Sequence, residues 1–496
     1  MLGWIVAVFS FSIGRAQTYD INKKYPVGQL REDFGLLRSA LERSHPSTYW
    51  YTPKDSMTRF FDETYTRIDH QMTEREFYHF LAPVLARVHC GHTYPEMSEA
   101  YYEHDTVTRH YLPFELFLDE DRLFIVKNGS TDSSLAEGDE ILKLDGVPVK
   151  EMADLARTLI SADGDNASWK NAFMQMYYVE EVYLEYYHGK PPFKLTIRST
   201  DGSIRETVVR ARPRMTRPVK QQPELSRKQQ MRQEKLAEEA ERAAMCRLRF
   251  TKGDSNAAIL SVRGFSYESV YGVSFYKKHR SVFKAIAERN VANLVIDLRG
   301  NSGGNLAIAE DLMAYLMDKP FRVVEKNELY TENVEYLDLL QSHFEKQPKS
   351  HGFQANRLRK TGENTYTFKF GGRELLKPAG KYRFSGNVYV ITDGWVFSAG
   401  SLFVSSLRSQ RKITVVGEET GGGAVGCSGG RISRLVLPNT GLRVFFPHFR
   451  IYAVTQTGPD GHGVLPDYPV KPTLKDFAQK RDPQLAKTFD LIFSTK

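Results

Sequence analysis

Apolar positions recur at helical spacing through the first hundred residues of the chain. Four of them lie three or four positions apart, at Leu30, Phe34, Leu37 and Leu41. Such spacing places side chains on one face of an α-helix. Residues 75–88 repeat the pattern, with a kink expected at Pro83. The pattern predicts a helical N-terminal domain over residues 18–110.

Residues 111–213 instead alternate apolar and polar side chains, which is typical of half-buried strands. Five runs predict strands: FELFLD, RLFIVKN, EILKLDG, FKLTIRS and RETVVRA. The third run follows a Gly138-Asp139 turn, ends in an Asp145-Gly146 hairpin and precedes a predicted helix. This order resembles a PDZ domain, a fold that binds an extended peptide at a sheet edge. An ordinary hairpin has the same Asp-Gly turn and is the alternative.

Residues 214–245 have few apolar positions and many Glu, Lys and Arg residues at helical spacing, which predicts a solvated linker helix. Beyond this linker, residues 246–475 alternate strand and helix, which predicts an α/β layered core. The predicted elements of this core are strands at 291–298, 386–392 and 413–418, and helices at 305–317 and 398–409. Residues 476–496 form a C-terminal segment.

Composition excludes several classes of protein. Of the 496 residues, 41% are hydrophobic and 12% aromatic, so the chain has enough apolar area for packed domains rather than disorder. Three cysteines are too few for a disulfide framework. The net charge is only 68 − 60 = +8, and no base-stacking or groove-binding motif accompanies it, so nucleic acid is not expected as a partner.

The N-terminus has the pattern of a secretory signal. Residues 4–13 are apolar, and Gly14 and Ala16 occupy the positions of a small-residue cleavage site. No apolar run after the first 20 residues reaches the roughly 18 needed to span a bilayer. We therefore expect a signal peptide at residues 1–16, export to the periplasm or cell envelope, and no stable membrane span after cleavage.

Candidate chemistry lies at two strand-to-helix turns. In the first, residues 297–305, three glycines leave backbone N–H groups that can hold an oxyanion. The second turn places Ser398 between a predicted buried strand and an amphipathic helix. Serine in this position is often only an N-cap. It can also be a nucleophile stabilised by the helix N-terminus and by the N–H of Ala399.

Four segments in order, VIDLRGNSGGN, FSAGSLF, VVGEETGGG and GHGVLPD, resemble the motifs of the S41 serine peptidases. That family includes the C-terminal processing proteases and the tricorn core protease. The resemblance covers residues 80–475 and implies a ClpP/crotonase-like catalytic core preceded by a PDZ-like domain. It implies Ser398 as nucleophile, although Val396 and Ser401 replace the Thr and Glu of the family pattern T-x-S-A-x-E. The implied oxyanion hole consists of the N–H groups of Ala399 and of Gly303 or Gly304.

The resemblance also indicates which residue acts as the general base that accepts the proton of Ser398. Gly423 stands where the processing proteases have a catalytic lysine, so a Ser-Lys dyad at that position is excluded. The tricorn-like branch uses the histidine of a D-G-H-T motif, and Cys90-Gly91-His92-Thr93 is similar, which implies His92 as general base. A rate that rises through about pH 6–7 is then expected. The carboxylate that orients this base is implied at Asp460, with Glu419 as the competitor.

Two alternatives concern the cysteines. His89, Cys90 and His92 could suggest zinc, but no second cluster at ligand spacing is visible, so no metal or cofactor is assigned. Cys90 and Cys427 lie in segments that should both approach the site, so we expect them to be neighbours, and they could form a disulfide in an exported protein.

The sequence thus favours a serine endopeptidase whose substrates are exported or unfolded polypeptides. The altered nucleophile motif keeps a second function open, namely a catalytically impaired S41-fold scaffold that binds peptides through its PDZ-like domain. The oligomeric state does not follow from the sequence.

Overall fold

The computed structural model describes residues 19–108, 110–175, 179–187, 189–213, 245–251, 256–266, 274–332, 358–368, 375–455 and 461–494. The expected signal peptide at residues 1–16 and nearly all of the charged linker at 214–245 lie outside this part of the chain. Within it, no helix combines the length and the apolarity needed to cross a membrane.

The N-terminal region is helical, as its pattern predicts. Its helices are Val27–Ser44, Lys54–Thr66, Glu74–Ala86 and Glu99–Thr108. Short strands lie between and beside them: β1 (Lys24–Tyr25), β2 (Met72–Thr73), β3 (Pro95–Glu96) and β4 (His110–Tyr111). The apolar residues that predicted the first helix are all fully buried, namely Leu30, Phe34, Leu37 and Leu41. They share one hydrophobic core with Leu435 and Phe446, which come from much later in the chain.

A second region contains all five strands predicted from alternation. Its strands are β5 (Phe114–Asp119), β6 (Arg122–Asn128), β7 (Glu140–Leu144), β8 (Val147–Pro148), β9 (Phe193–Arg198), β10 (Ile204–Val209) and β11 (Arg212–Pro213). They form an antiparallel sheet in the order β10-β9-β7-β6-β5, while β8 pairs with β7 and β11 pairs with β4. The helices Val149–Leu159, Ala167–Phe173 and Val179–Tyr186 accompany this sheet.

The third region contains the remaining strands and helices. The strands are β12 (Cys246–Phe250), β13 (Ala257–Val262), β14 (Asn293–Asp297), β15 (Val324–Tyr330), β16 (Leu358–Lys360), β17 (Thr365–Phe368), β18 (Asn387–Thr392), β19 (Thr414–Gly417), β20 (Gly426–Val436), β21 (Arg443–Ala453) and β22 (Tyr468–Pro469). The helices are Phe275–Glu288, Leu306–Ala314, Ala399–Gln410, Leu474–Ala478 and Pro483–Phe493.

The core of this region is a six-stranded sheet in the order β12-β13-β14-β18-β19-β22, parallel from β13 onward. Leu294 on one face belongs to the main core, which includes the three helices between 275 and 410. Val295 on the other face packs with Ile492 of the C-terminal helix. Because both faces are covered, β14 is buried along nearly its whole length, as expected for a continuous apolar run.

The parallel order of β14, β18 and β19 places the turns that follow them at one edge of the sheet. These turns carry the glycine segment after Asp297, Ser398, and the segment of three glycines at 421–423.

The simple alternation of strand and helix predicted for residues 246–475 is incomplete. It omits a second sheet, in the order β16-β17-β15-β21-β20, whose two 11-residue strands β20 and β21 form a hairpin. β3 pairs with β21, and this pairing brings the chain that follows His92 onto the hairpin.

Candidate active site

Ser398 lies between β18 and the helix Ala399–Gln410, in a backbone conformation that is rare for a residue with a side chain. Its φ is 52° and its ψ is −125°, and its side chain makes no capping hydrogen bond to the helix. An N-cap serine would accept a hydrogen bond from an amide of the first turn, so this serine does not act as an ordinary cap. A strained serine on a sharp turn between strand and helix is typical of an exposed nucleophile.

The glycine turn after β14 packs directly against Ser398. Gly303 has a φ of +101°, and a Cβ built on it would lie 2.8 Å from Ser398 Cβ and 2.9 Å from the Ala399 nitrogen. Only glycine permits so close an approach at this φ. The buried Asn301 joins the two turns, because its carbonyl accepts the N–H of Phe397 at 3.0 Å. The two turns singled out in the sequence therefore meet.

The three implied oxyanion donors differ in their hydrogen bonding. The N–H of Gly303 donates to Oδ1 of Asn301 at 2.9 Å. The N–H groups of Gly304 and Ala399 take part in none of the hydrogen bonds described for this part of the chain. Gly304 is also exposed. Its amide and that of Ala399 are thus the two that can receive a ligand oxygen without breaking an existing bond.

His92 follows the helix Glu74–Ala86 and contacts the residue that precedes the serine. The centroid of its ring lies 4.6 Å from that of Phe397. The adjacent Gly91 also packs tightly on Phe397, since a Cβ built on Gly91 would lie only 2.6 Å from Phe397 Cζ. The Nδ1 atom of His92 is buried and has no hydrogen-bond partner among the residues that the structure describes. Burial lowers the pKa of His92 to about 4, and the backbone of Ser428 opposes the shift. The imidazole is therefore neutral at physiological pH, and a rate limb near pH 6–7 no longer follows from it.

Asp163 is a site residue that sequence reasoning missed. Its carboxyl is 2% exposed and accepts the N–H of Gly91 at 2.9 Å and that of Gly423 at 3.4 Å. An oxygen of Asp163, a ring nitrogen of His92 and the sulfur of Cys90 all lie within 4.8 Å of one another. Desolvation raises the pKa of Asp163 to about 7, against the lowering effect of the two amides. Its sequence context, Ser161-Ala162-Asp163-Gly164-Asp165, is typical of an exposed turn and gives no signal of this role.

The two carboxylates implied by the sequence have other positions. Asp460 lies outside the described residues. Glu419 accepts the N–H of Gly463 at 2.7 Å and the hydroxyl of Ser168 at 3.2 Å, and Nδ1 of His462 lies 3.5 Å from it. None of the hydrogen bonds described for Glu419 joins it to His92. Asp163, by contrast, is a carboxyl that does lie close to His92.

The cysteines are all buried free thiols: Cys90, Cys246 and Cys427. Desolvation raises the pKa of Cys90 to about 12. It also raises that of Cys427 well above its usual value, with further contributions from the charges of Asp163 and Cys90. Both sulfurs lie near the His92 ring: that of Cys90 is within 4.8 Å of a ring nitrogen, and a Cβ built on Gly429 would lie 3.4 Å from His92 Cε1 and 3.7 Å from the sulfur of Cys427. No disulfide joins the two thiols. Unreactive, protonated thiols of this kind are poor nucleophiles.

His89, by contrast, is not part of the group formed by Cys90, His92 and Asp163. Its Nδ1 lies 2.9 Å from the carbonyl oxygen of Gly164. The grouping of His89, Cys90 and His92 considered from the sequence is thus not the one that the fold assembles.

The assembled groups are a strained hydroxyl, a neutral imidazole, a buried carboxyl and two unengaged amides. Acyl transfer through a covalent serine intermediate requires these four kinds of group. They come from four parts of the sequence that are far apart, at His92, Asp163, Gly304 and Ser398-Ala399.

Comparisons with known proteins agree with this architecture. Residues 256–470 match the model of peptidase family S41. No curated protein matches the chain. Two solved structures of mature CPAF, one of them described as complexed with lactacystin, are similar at 16% identity with TM-scores of 0.62. Each alignment covers 94% of this chain, and it covers 97% and 96% of the two CPAF chains, respectively. At this identity the likeness shows a shared mixed α/β fold.

Proposed function

Residues 256–470 belong to peptidase family S41, and from this premise we propose that the chain is a serine endopeptidase that cleaves exported or unfolded polypeptides. The observation that carries the proposal is the conformation of Ser398, whose φ of 52° places it on a sharp turn directly after Phe397, the residue that packs on the ring of His92. Strain of this kind costs on the order of 1–3 kcal/mol and clusters at active sites.

In the proposed reaction, His92 accepts the proton of Ser398 while the serine oxygen attacks the carbonyl carbon of the scissile peptide bond. His92 then donates that proton to the leaving amine, and water hydrolyses the acyl-enzyme by the same steps. The oxyanion accepts hydrogen bonds from the N–H of Ala399 and of Gly304. We prefer Gly304 to Gly303, because the amide of Gly303 is already bound to Asn301.

Histidine rather than lysine is the base in this proposal, for a steric reason. A Cβ built on Gly423 would lie 2.4 Å from the carbonyl oxygen of Gly426. No side chain fits there without movement of the backbone. The amide of Gly423 instead donates to Asp163, so the side chain next to position 423 is a carboxyl from another part of the chain.

We assign Asp163 as the residue that positions His92, in place of Asp460 or Glu419. Its oxygen is within 4.8 Å of a His92 nitrogen, and a movement of about 2 Å brings the two groups to hydrogen-bond distance. Catalytic hydrogen bonds are often long before substrate binds. When ionised, Asp163 would stabilise the imidazolium that forms as Ser398 loses its proton.

A scaffold function is the second candidate, and the replacement of the family's Thr and Glu by Val396 and Ser401 favours it. The peptide would bind to the antiparallel sheet of residues 111–213, which we interpret as PDZ-like.

The sequence pattern of residues 4–13 supports export. Recovery of a mature chain that begins at Gln17 is the test of this proposal.

One experiment separates the two functions. The purified chain and its Ser398→Ala variant are incubated with denatured casein, and peptide binding to both is measured in parallel. Cleavage by the unsubstituted chain alone supports the peptidase. Equal inactivity of the two proteins with retained peptide binding supports the scaffold.

A further inference from the structure

We infer that Cys90, His92 and Asp163 form a binding site for one Zn²⁺ ion, and that the bound ion inhibits the peptidase by occupying His92. The binding part of this inference stands on geometry alone. The inhibitory part rests on the proposed function.

The distances fit a zinc site that closes by a small movement. Zinc lies about 2.0–2.3 Å from nitrogen, oxygen and sulfur ligands, which places neighbouring ligand atoms roughly 3.3–3.8 Å apart in a tetrahedron. The three donor atoms here already lie within 4.8 Å of one another. Closing the site therefore requires shifts on the order of 1 Å, within the range of ordinary side-chain rotation.

The donor set fits the chemistry of zinc. One thiolate, one imidazole and one carboxylate combine the sulfur, nitrogen and oxygen ligands that Zn²⁺ binds. The charges of a thiolate and a carboxylate balance those of the ion, so a neutral unit forms in a buried setting. Binding releases the thiol proton of Cys90 to solvent. Three protein ligands leave the fourth position of the tetrahedron to a solvent molecule, as in open zinc sites.

The existing contacts of His92 and Asp163 leave both side chains able to bind an ion. The Nδ1 of His92 is buried and finds no hydrogen-bond partner in the described part of the chain, which is unusual for a polar atom in a folded protein. Asp163 is held by the amides of Gly91 and Gly423, one on each oxygen. Since a carboxylate offers about four lone-pair sites, one on each oxygen remains for a metal. The two amides also fix the orientation of Asp163, as neighbours of metal ligands commonly do.

An inhibitory consequence follows from the role proposed for His92. Zinc on one ring nitrogen of His92 leaves the neutral imidazole with its proton on the other nitrogen, so the ring cannot accept the proton of Ser398. The ion would also draw Asp163 into coordination and remove it from its positioning role. We therefore expect Zn²⁺ to act as an inhibitor rather than as a cofactor.

The test measures binding of zinc itself to the metal-free full chain, by titration against a chromophoric chelator. We expect one equivalent per chain. Cys90→Ser and Asp163→Asn should each weaken the affinity by about tenfold or more. Cys246→Ser is the matched control, because Cys246 is also a buried free thiol but lies in a different core, on β12. Its variant should bind zinc as the unsubstituted chain does.

Cobalt provides a second readout that separates ligand loss from misfolding. The Co²⁺-loaded unsubstituted chain should show thiolate-to-cobalt charge-transfer absorption, which Cys246→Ser retains and Cys90→Ser loses. Thermal unfolding of each metal-free variant shows whether it is folded. If a folded Cys90→Ser variant and a folded Asp163→Asn variant bind zinc as tightly as the unsubstituted chain, the site is wrong. Absence of stoichiometric binding to the unsubstituted chain also overturns it.

Casein cleavage with added zinc then distinguishes the two proposals. Zinc bound at one equivalent to a chain that never cleaves casein supports the site and contradicts the peptidase. Cleavage that is unaffected by zinc at saturating occupancy contradicts the inhibitory inference and leaves the peptidase intact.

Discussion

The ring of His92 packs 4.6 Å from the ring of Phe397, the residue directly before Ser398. These residues are more than 300 positions apart in the sequence, and two features of the fold bring them together. The N-terminal helices share a core with the β20–β21 hairpin, and β3 pairs with β21 just after His92. The imidazole thus reaches the carboxyl edge of the parallel sheet, where Ser398 lies.

The close packing of Gly303 on Ser398 predicts that Gly303→Ala strongly lowers activity. The new Cβ would lie 2.8 Å from both Ser398 Cβ and the carbonyl oxygen of Phe397, so the nucleophile must move. A displacement of about 1 Å can cost 10²-fold in rate. We expect kcat/KM for a peptide substrate to fall by at least that factor.

Gly300→Ala is the matched control for this effect. Gly300 is in the same turn with a φ of +76°, but a Cβ built on it meets nothing within 4 Å. The variant should lose about 1 kcal/mol of stability from backbone strain and keep activity within a few-fold. Equal losses of activity in both glycine variants would show that strain in the turn, rather than contact with Ser398, is responsible.

The backbone of Ser398 predicts an unusual order of stabilities. Ser398→Ala keeps a Cβ at a φ of 52° and should leave the strain in place. Ser398→Gly relieves it and should be more stable than Ser398→Ala by about 1 kcal/mol, even though glycine usually destabilises. Thermal unfolding of the two inactive variants measures the difference. A lower Tm for the glycine variant would mean that the conformation is not strained.

The pKa directions predict two limbs in the pH dependence of kcat/KM. His92 is in its neutral, base form above about pH 4. Asp163 ionises only near pH 7, and its carboxylate is the form that stabilises the imidazolium. The rate should therefore rise as pH increases through about 7.

Asp163→Asn isolates the second limb. The amide side chain does not ionise, so the variant should be slower at pH 8 and should lose the rise near pH 7. The low-pH limb set by His92 should remain. A variant profile with the same midpoint as that of the unsubstituted chain would assign the limb to another group and remove Asp163 from the mechanism.

Much of the fold follows from local pattern. The buried strand at 291–298, the helix after Ser398 and the five strands of residues 111–213 are each determined by residues within the segment, and each is present. The resemblance of four motifs also indicated the family correctly. Helix bounds differ by a few residues, as for the helix predicted at 305–317 and found at Leu306–Ala314. Such ends depend on caps rather than on periodicity.

The features that could not be predicted depend on contacts between remote segments. Asp163 is in a Gly- and Asp-rich turn that looks exposed, and only the approach of Gly91 and Gly423 buries it. The amide of Gly303 donates a hydrogen bond to the side chain of Asn301, two residues earlier. The glycine pattern of this turn does not indicate which of its amides are free to bind an oxyanion. The lowered pKa of His92 likewise comes from burial under Phe397 and the β20 strand, which no single segment encodes.

The most direct test of the central claim is covalent labelling with a fluorophosphonate, followed by peptide mapping. A serine activated by His92 should form one adduct per chain, on Ser398, and the reaction should fall to background in His92→Ala. An adduct on another serine, or undiminished labelling of Ser398 in His92→Ala, would contradict the proposed nucleophile and base.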